Sequence, residues 1–355
     1  MKRMLALGTL ACFALAGLAL AEDEVATGAV KPRFVVLPAR TTNDATPQTT
    51  LPTWRGNFIY GGQKYVYTMV GRAPSKNLTT KIKAIIIPIK LVITSGGTTA
   101  TYDPETVLSN GKTVVQNTVA SPLFDKTTTY TQGGVNVGTT QYIDAYQRAN
   151  FWGSVSTFTN SHLLLAGPTI MAEQTLSPPK TDGSLVSAFG ITAALVNINW
   201  FDGIVQGLLT SLAIPANTIP IFLTYNTYLT SGGVAGCCIG GYHSFTGVQA
   251  YMEATYVDAV GAFSQNVSAL SHELGEWADD PFTNNNSPCG GPLEVGDPLE
   301  GEPNYGGFPY TVNGFTYDLQ DLVTLPYFGA PTSTSVNGYL SFQGNTSLSV
   351  CSNGS

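Results

Sequence analysis

The chain has 355 residues, 43% of them apolar and only 11% charged, with 23 Asp+Glu against 16 Lys+Arg. That is ample material for a packed core and argues against wholesale disorder. The net charge of −7 argues against nucleic acid and anionic membrane surfaces, which demand clustered positive charge.

The N-terminus predicts export. Lys2 and Arg3 precede an apolar run from Leu5 to Leu20, and Ala19-Leu20-Ala21 has the small-x-small pattern of a signal-peptidase site. The run is shorter than the ~20 apolar residues of a spanning helix, and no later segment is long enough to span. Residues 1–21 are therefore expected to be a signal peptide, the mature chain to be secreted, extracellular or periplasmic, and its charge to be about −9, with 14 Lys+Arg against 23 Asp+Glu. Residues 22–55 carry no hydrophobic period and are expected to form a flexible leader, with one elaborated domain over 56–355.

Strand patterns start near Phe58. Tyr65–Val70 is one candidate and Ile82–Ile93 a longer one, whose internal Pro88 predicts an edge or a bulge. Thr139–Phe151 predicts a short helix, and Leu163–Ile170 a strand with a Gly-Pro break. Ala193–Ile198 predicts a strand, Trp200–Leu212 an amphipathic helix closed by Pro215, and Ile219–Tyr225 another strand. A glycine- and cysteine-rich loop over Gly232–Gly241 leads to a strand at Ala250–Val257. A helix is expected from Val260 to Asp279, stopped by Pro281, then an Asn/Gly/Pro/Cys loop, then strands and turns from Phe315. The expected fold is α+β: a zincin-like mixed β-sheet packed on an active-site helix, with additional N-terminal and C-terminal β-rich segments and a metal-site core over about 190–305.

The helix ending at Asp279 carries the chemistry. At 100° per residue, Val260, Phe263, Val267, Leu270, Leu274 and Trp277 share one stripe. His272 and Glu276 fall near the opposite side, one turn apart, with Glu273 beside them and the small Ser268, Ala269 and Gly275 around them. Residues at i and i+4 can deliver an imidazole nitrogen and a carboxylate oxygen to one cation. The residue after the histidine can then hold a metal-acidified water as general base. His272 and Glu276 are thus candidate ligands and Glu273 the candidate base. Glu294 or Asp297, three apart in Pro292–Asp297, is the expected third ligand, the other of the two supporting His272. His243, in Gly241-Tyr242-His243-Ser244, is a further candidate, as ligand or oxyanion donor. The motif is His-Glu-x-x-Glu where the common zinc-peptidase pattern has a second histidine. Zn²⁺ is the expected cofactor, with Mn²⁺ or Ca²⁺ as alternatives because Glu276 adds negative charge.

Cys12 lies in the export segment, leaving Cys237, Cys238, Cys289 and Cys351, and an oxidising compartment permits any pairing. Distant partners are expected for Cys237 and Cys238, because joining neighbours strains the backbone; an adjacent pair plus two singletons suits a four-cysteine zinc site poorly.

The run Leu270–Phe282, followed by Pro292–Asp297, resembles bacterial secreted proteins with a His-Glu-x-x-Glu…Asp-Pro…Glu-x-x-Asp pattern. It is also distantly similar to the plant exordium (phosphate-induced) proteins, in which a cysteine-rich loop with a Gly-x-His segment precedes an equivalent helix, as Cys237-Cys238 and Gly241-Tyr242-His243 do here. The resemblance covers roughly residues 190–305. It implies a secreted metal-dependent hydrolase acting on a polypeptide, or a non-catalytic extracellular binding or signalling protein with a structural cation site, since the plant members lack the His-Glu dyad.

Overall fold

The computed structural model describes residues 33–37, 49–60, 62–132, 135–150, 152–233, 235–286, 308–320, 322–323 and 340–341. The export segment, Cys289, Glu294, Asp297 and Cys351 lie outside the described residues.

Strands β1 (Arg33–Val36), β2 (Thr53–Tyr60) and β3 (Gln63–Val70) come first, then β4 (Thr80–Ser95) and β5 (Thr98–Tyr102). Helix α1 (Val114–Val119), strands β6 (Thr129–Gln132) and β7 (Val135–Thr139), and helices α2 (Tyr142–Asn150) and α3 (Trp152–Val155) follow. Next are β8 (Leu163–Ile170), β9 (Gln174–Leu176), β10 (Gly183–Ala188) and β11 (Ile191–Asn197), then helix α4 (Ile198–Ser211). Strands β12 (Thr218–Tyr225), β13 (Thr227–Thr230), β14 (Ile239–Phe245) and β15 (Ala250–Tyr256) lead into helix α5 (Ser268–Asp279). Strands β16 (Phe308–Val312), β17 (Phe315–Leu319), β18 (Leu322–Val323) and β19 (Leu340–Ser341) close the described chain.

The main sheet runs β10-β11-β13-β14-β15-β12-β4-β5, with β1 added to β14 and with β8 and β9 on β4. It is mixed: β11–β13, β15–β12 and β12–β4 are parallel, whereas β13–β14 and β14–β15 are antiparallel. The protein is therefore α+β and strand-rich. One face of the sheet is covered by α4, whose Phe201, Val205 and Leu209 pack with Ile87, Phe222, Tyr242 and Tyr251. The other face meets α2 and α5 through Ile86, Ile221, Met252, Ala254, Leu270 and Trp277. Because both faces are covered, the core stretch of β4, Ala84–Ile89, is buried at every position, as the continuous apolar run in its sequence requires.

Pro88 sits in this central strand rather than at the edge its residue type predicts. It falls between Ile86, the last residue paired with β8, and Ile89, the first paired with β9, so the ladder is already interrupted where proline cannot donate. Of the expected leader, residues 22–32 and 38–48 lie outside the described residues, and two described stretches are strand. Arg33–Val36 is a strand of the main sheet, and Thr53 already opens β2.

The expected helix from Val260 is shorter than its hydrophobic period suggests. Gly261 (φ 85°) and Asn266 (φ 44°) adopt left-handed conformations that a right-handed helix cannot contain, so α5 starts at Ser268 and Val260 is exposed. Asn266 serves the start instead: its Oδ1 accepts from the Val267 and Asp318 amides at 2.6 and 2.8 Å. At the far end Asp280 leaves the helical region (φ −145°, ψ 69°) directly before Pro281, whose ring disfavours the α conformation in the residue ahead of it. Its carboxylate accepts from the Asn284 and Asn285 amides, and the Asn285 side chain bridges Asp279 to the backbone of Thr68 on β3.

Every residue of α5 is buried, those of its polar His272–Glu276 face included. The sheet lies on one side, and α2, β3 and β17 close the others. No described helix is long and apolar enough to cross a membrane.

Two consequences can be measured. A Cβ on Gly275 would lie 2.8 Å from Cε1 of Tyr146, whose ring is buried and stacked on Tyr142. Gly275→Ala, which in an exposed helix would stabilise by about 1 kcal/mol, should here destabilise by roughly 1–3 kcal/mol in urea titrations, because the core is overfilled. On α2, buried Asp144 accepts from His162 Nδ1 at 2.8 Å while His162 Nε2 faces the Thr159 carbonyl at 3.0 Å. Two acceptors favour the imidazolium, and the Asp144 hydrogen bond raises the His162 pKa above 6.5. The stabilisation is complete below 6.5 and is lost as pH rises through the raised value. The urea-midpoint gap between wild type and His162→Gln should accordingly be wide at pH 5.5 and narrow by pH 9.

Candidate metal centre

Three elements build the site. Strand β14 presents alternate residues to opposite faces, so Tyr242 points to α4 and His243 to α5. The sequence suggests a loop at this histidine, but it lies on a strand between β1 and β15. Helix α5 supplies His272, Glu273 and Glu276, all within 3% of complete burial. The turn after α5 supplies the Asp280 carbonyl, 3.3 Å from His243 Nε2.

That last contact fixes the chemistry of the imidazole. A carbonyl can only accept, so Nε2 carries a hydrogen and donates to Asp280. Nδ1 is left facing Glu276 Oε2 at 3.2 Å and Glu273 Oε2 at 3.4 Å. The other oxygen of Glu276 lies 3.0 Å from His272 Nε2, the i,i+4 contact that the helix phase predicts. Glu276 is thus the centre, with one oxygen toward each histidine. Ligand atoms of His243, Glu273 and Glu276 all lie within 4.8 Å of one another.

A lone pair and two carboxylates cannot face one another in a dry interior without a proton or a cation among them. None of the four carboxylate oxygens of Glu273 and Glu276 accepts a well-formed hydrogen bond among the described residues. Burial alone pulls the His243 pKa down, but the two carboxylates push it up to about 10. Burial raises Glu273 to about 8, while the two histidines hold Glu276 below the ordinary carboxylate range against the same burial. The three side chains could together hold a metal ion, a cation among them being one way to satisfy the charges.

The sequence expectation gave the ligand role to His272 and Glu276, the base role to Glu273 and a subsidiary role to His243. The structure brings all four together, but places His243 and Glu273 with Glu276 in the ligand-competent group and leaves His272 on the far oxygen of Glu276. Among the described residues the acidic partner of His272 is Glu276; Glu294 and Asp297 lie outside them.

Gly241 is the site residue that the sequence did not single out. A Cβ there would lie 2.8 Å from Glu273 Oε1 and 2.9 Å from the Glu253 carbonyl. Its signal was the Gly-x-His spacing, since residues two apart on a strand share a face. Ahead of β14, Cys237 and Cys238 are bonded to each other, which corrects the expectation of distant partners; their shared peptide is cis.

No family profile, curated protein or solved structure matches the chain.

Gly241→Ala should displace the Glu273 carboxylate and, through the Glu253 carbonyl 2.9 Å from the new Cβ, press β14 locally away from β15. A zinc titration should show at least about tenfold weaker binding, the order expected when a metal site's support is disturbed. Far-ultraviolet circular dichroism should remain that of wild type.

Proposed function

We propose that this chain is an exported metal-dependent hydrolase of polypeptides, with Zn²⁺ as the first candidate ion and a zincin-like relation of sheet to helix. The carrying observation is the convergence of His243 Nδ1 with the buried, hydrogen-bond-deprived carboxylates of Glu273 and Glu276. His243, Glu276 and Glu273 are suited to hold the ion, with His272 orienting Glu276 from its other oxygen. A bound ion supplies Lewis acidity toward a carbonyl and an acidified water.

The remaining chemistry belongs to the side chains. Asp280 holds His243 in the tautomer that exposes Nδ1. Glu273 and Glu276 lie one turn apart with their affinities for a proton driven in opposite directions, the pattern by which neighbouring carboxyls divide acid and base roles. Glu273, whose Oε2 faces His243 Nδ1 at 3.4 Å, is the carboxylate placed to take up and return a proton. Gly241 leaves it the space to do so.

Complete burial favours a second reading. Structural ions sit in closed sites, whereas catalytic ones keep an open position, and His243, Glu273 and Glu276 have no measurable exposure. A structural cation in a binding protein is the corresponding alternative, and calcium suits its acidic donors.

Elemental analysis together with a casein-cleavage assay separates the readings. The hydrolase proposal expects one zinc per chain, lost in Glu276→Gln and His243→Ala along with activity. Glu273→Gln should cost about 100- to 10,000-fold in rate; retained metal would make Glu273 a base alone, and lost metal would make it a ligand too. A bound ion with no cleavage supports the structural reading, and absence of any ion overturns both.

A further inference from the structure

The strand that carries His243 has a neighbour drawn from some 200 residues away in sequence. Strand β13 meets β14 only at Leu229–Ile239, so the edge beyond that point is left to β1, which pairs Val35 with Tyr242 and Val36 with His243. The Leu37 amide donates to the His243 carbonyl at 3.4 Å, and the Ser244 hydroxyl donates to the Leu37 carbonyl at 3.0 Å. Neighbouring strands lie about 4.8 Å apart, so any backbone on this edge runs directly beside the site strand.

Four features weaken the hold of the main sheet on β1. It has only four residues and pairs with a single strand. It runs parallel to β14, the weaker arrangement per residue, and its register shifts between Arg33 and Val35. Proline stands on both sides of it in the sequence, at positions 32 and 38, and a proline nitrogen has no hydrogen to donate to a ladder. A chain segment laid along an exposed sheet edge is the general mode of β-augmentation, in which backbone hydrogen bonds hold an extended peptide of varied sequence.

We propose that the β14 edge beside His243 is a groove for an extended polypeptide, and that Arg33–Leu37 of this chain is its resident, displaceable occupant. The occupant holds the groove closed until another extended segment replaces it. The polypeptide as substrate rests on the hydrolase reading; strand exchange itself does not.

The test uses the full chain and a fluorescein-labelled peptide of sequence Arg-Phe-Val-Val-Leu, followed by fluorescence polarisation. Leu37→Pro removes the amide that donates to His243. It should bind the peptide at least about tenfold more tightly than wild type, with circular dichroism unchanged. Equal weak binding by two folded proteins would overturn the proposal. If Leu37→Pro does not fold, hydrogen exchange on wild type decides. A displaceable strand requires the Leu37 amide to exchange at least about 100-fold faster than those of Met252 and Ala254 on β15, and equal protection would overturn the idea. Zinc and casein cleavage without a gain in peptide binding would sink the strand exchange alone. A gain in peptide binding without metal or cleavage would sink the hydrolase alone.

Discussion

Two carboxylates in the dry interior, with imidazoles as their near polar neighbours, are the constraint on which this structure turns. Glu273 and Glu276 lie on a helix with no exposed residue, and among the described residues neither oxygen pair has a well-formed hydrogen-bond donor. Removing one ion from water costs several kcal/mol even after relaxation, comparable with the roughly 1.5–3 kcal/mol gained by burying a large apolar side chain such as Leu274. A helix that must carry both burdens can be interior only if its apolar contacts are extensive and its charges are neutralised where they lie.

The fold answers both demands. Trp277, Leu274 and Leu270 bind α5 to the sheet and its neighbours, Gln147 ties α2 to the Ala278 carbonyl, and Asn266 and Asn285 secure the two ends. Neutralisation comes from β14, the strand nearest the polar face, through His243. The antiparallel insertion of β14 between parallel elements sets its alternation, so that Gly241 and His243 face the helix together. One glycine and one histidine two residues apart supply the space and the nitrogen.

Much of this was legible in particular residues. The i,i+4 relation of His272 and Glu276 follows from helical geometry, and their contact is found at 3.0 Å. The strands around Leu163, Ala193, Ile219 and Ala250 follow from apolar runs bounded by turn residues. The failures have local causes. Hydrophobic period placed Val260 in the helix because periodicity does not register the left-handed Gly261 and Asn266. Pro88 looked peripheral because a one-dimensional pattern cannot show that the neighbouring strand changes beside it. His243 looked like a loop residue because Gly240 and Gly241 read as turn signals. The glycine at 241 is instead demanded by Glu273, which approaches from 32 positions later. Long-range approach of this kind leaves almost no local trace.

The same protein also shows what a structural buried carboxylate looks like. Asp202, fully buried on α4 against the opposite face of β14, accepts from the Tyr251 and Tyr242 hydroxyls at 2.6 and 3.2 Å and from Gln206 Nε2 at 2.7 Å. Asp144 is satisfied by His162 and the Leu163 amide, and Asp280 by two backbone amides. Glu253, with one donor from Thr224, is kept neutral by burial, which raises it well above the carboxylate range. Each is either saturated with donors or uncharged, the two states that make burial tolerable. Glu276 is neither: its pKa is held low, and among the described residues its oxygens meet imidazole nitrogens. Adjacent residues of one strand, Tyr242 and His243, thus touch two carboxylates built on opposite principles. The first locks the strand in place by filling every acceptor. The second leaves its acceptors facing imidazole nitrogens, an arrangement that a positive charge, on a histidine or on an ion among them, would satisfy.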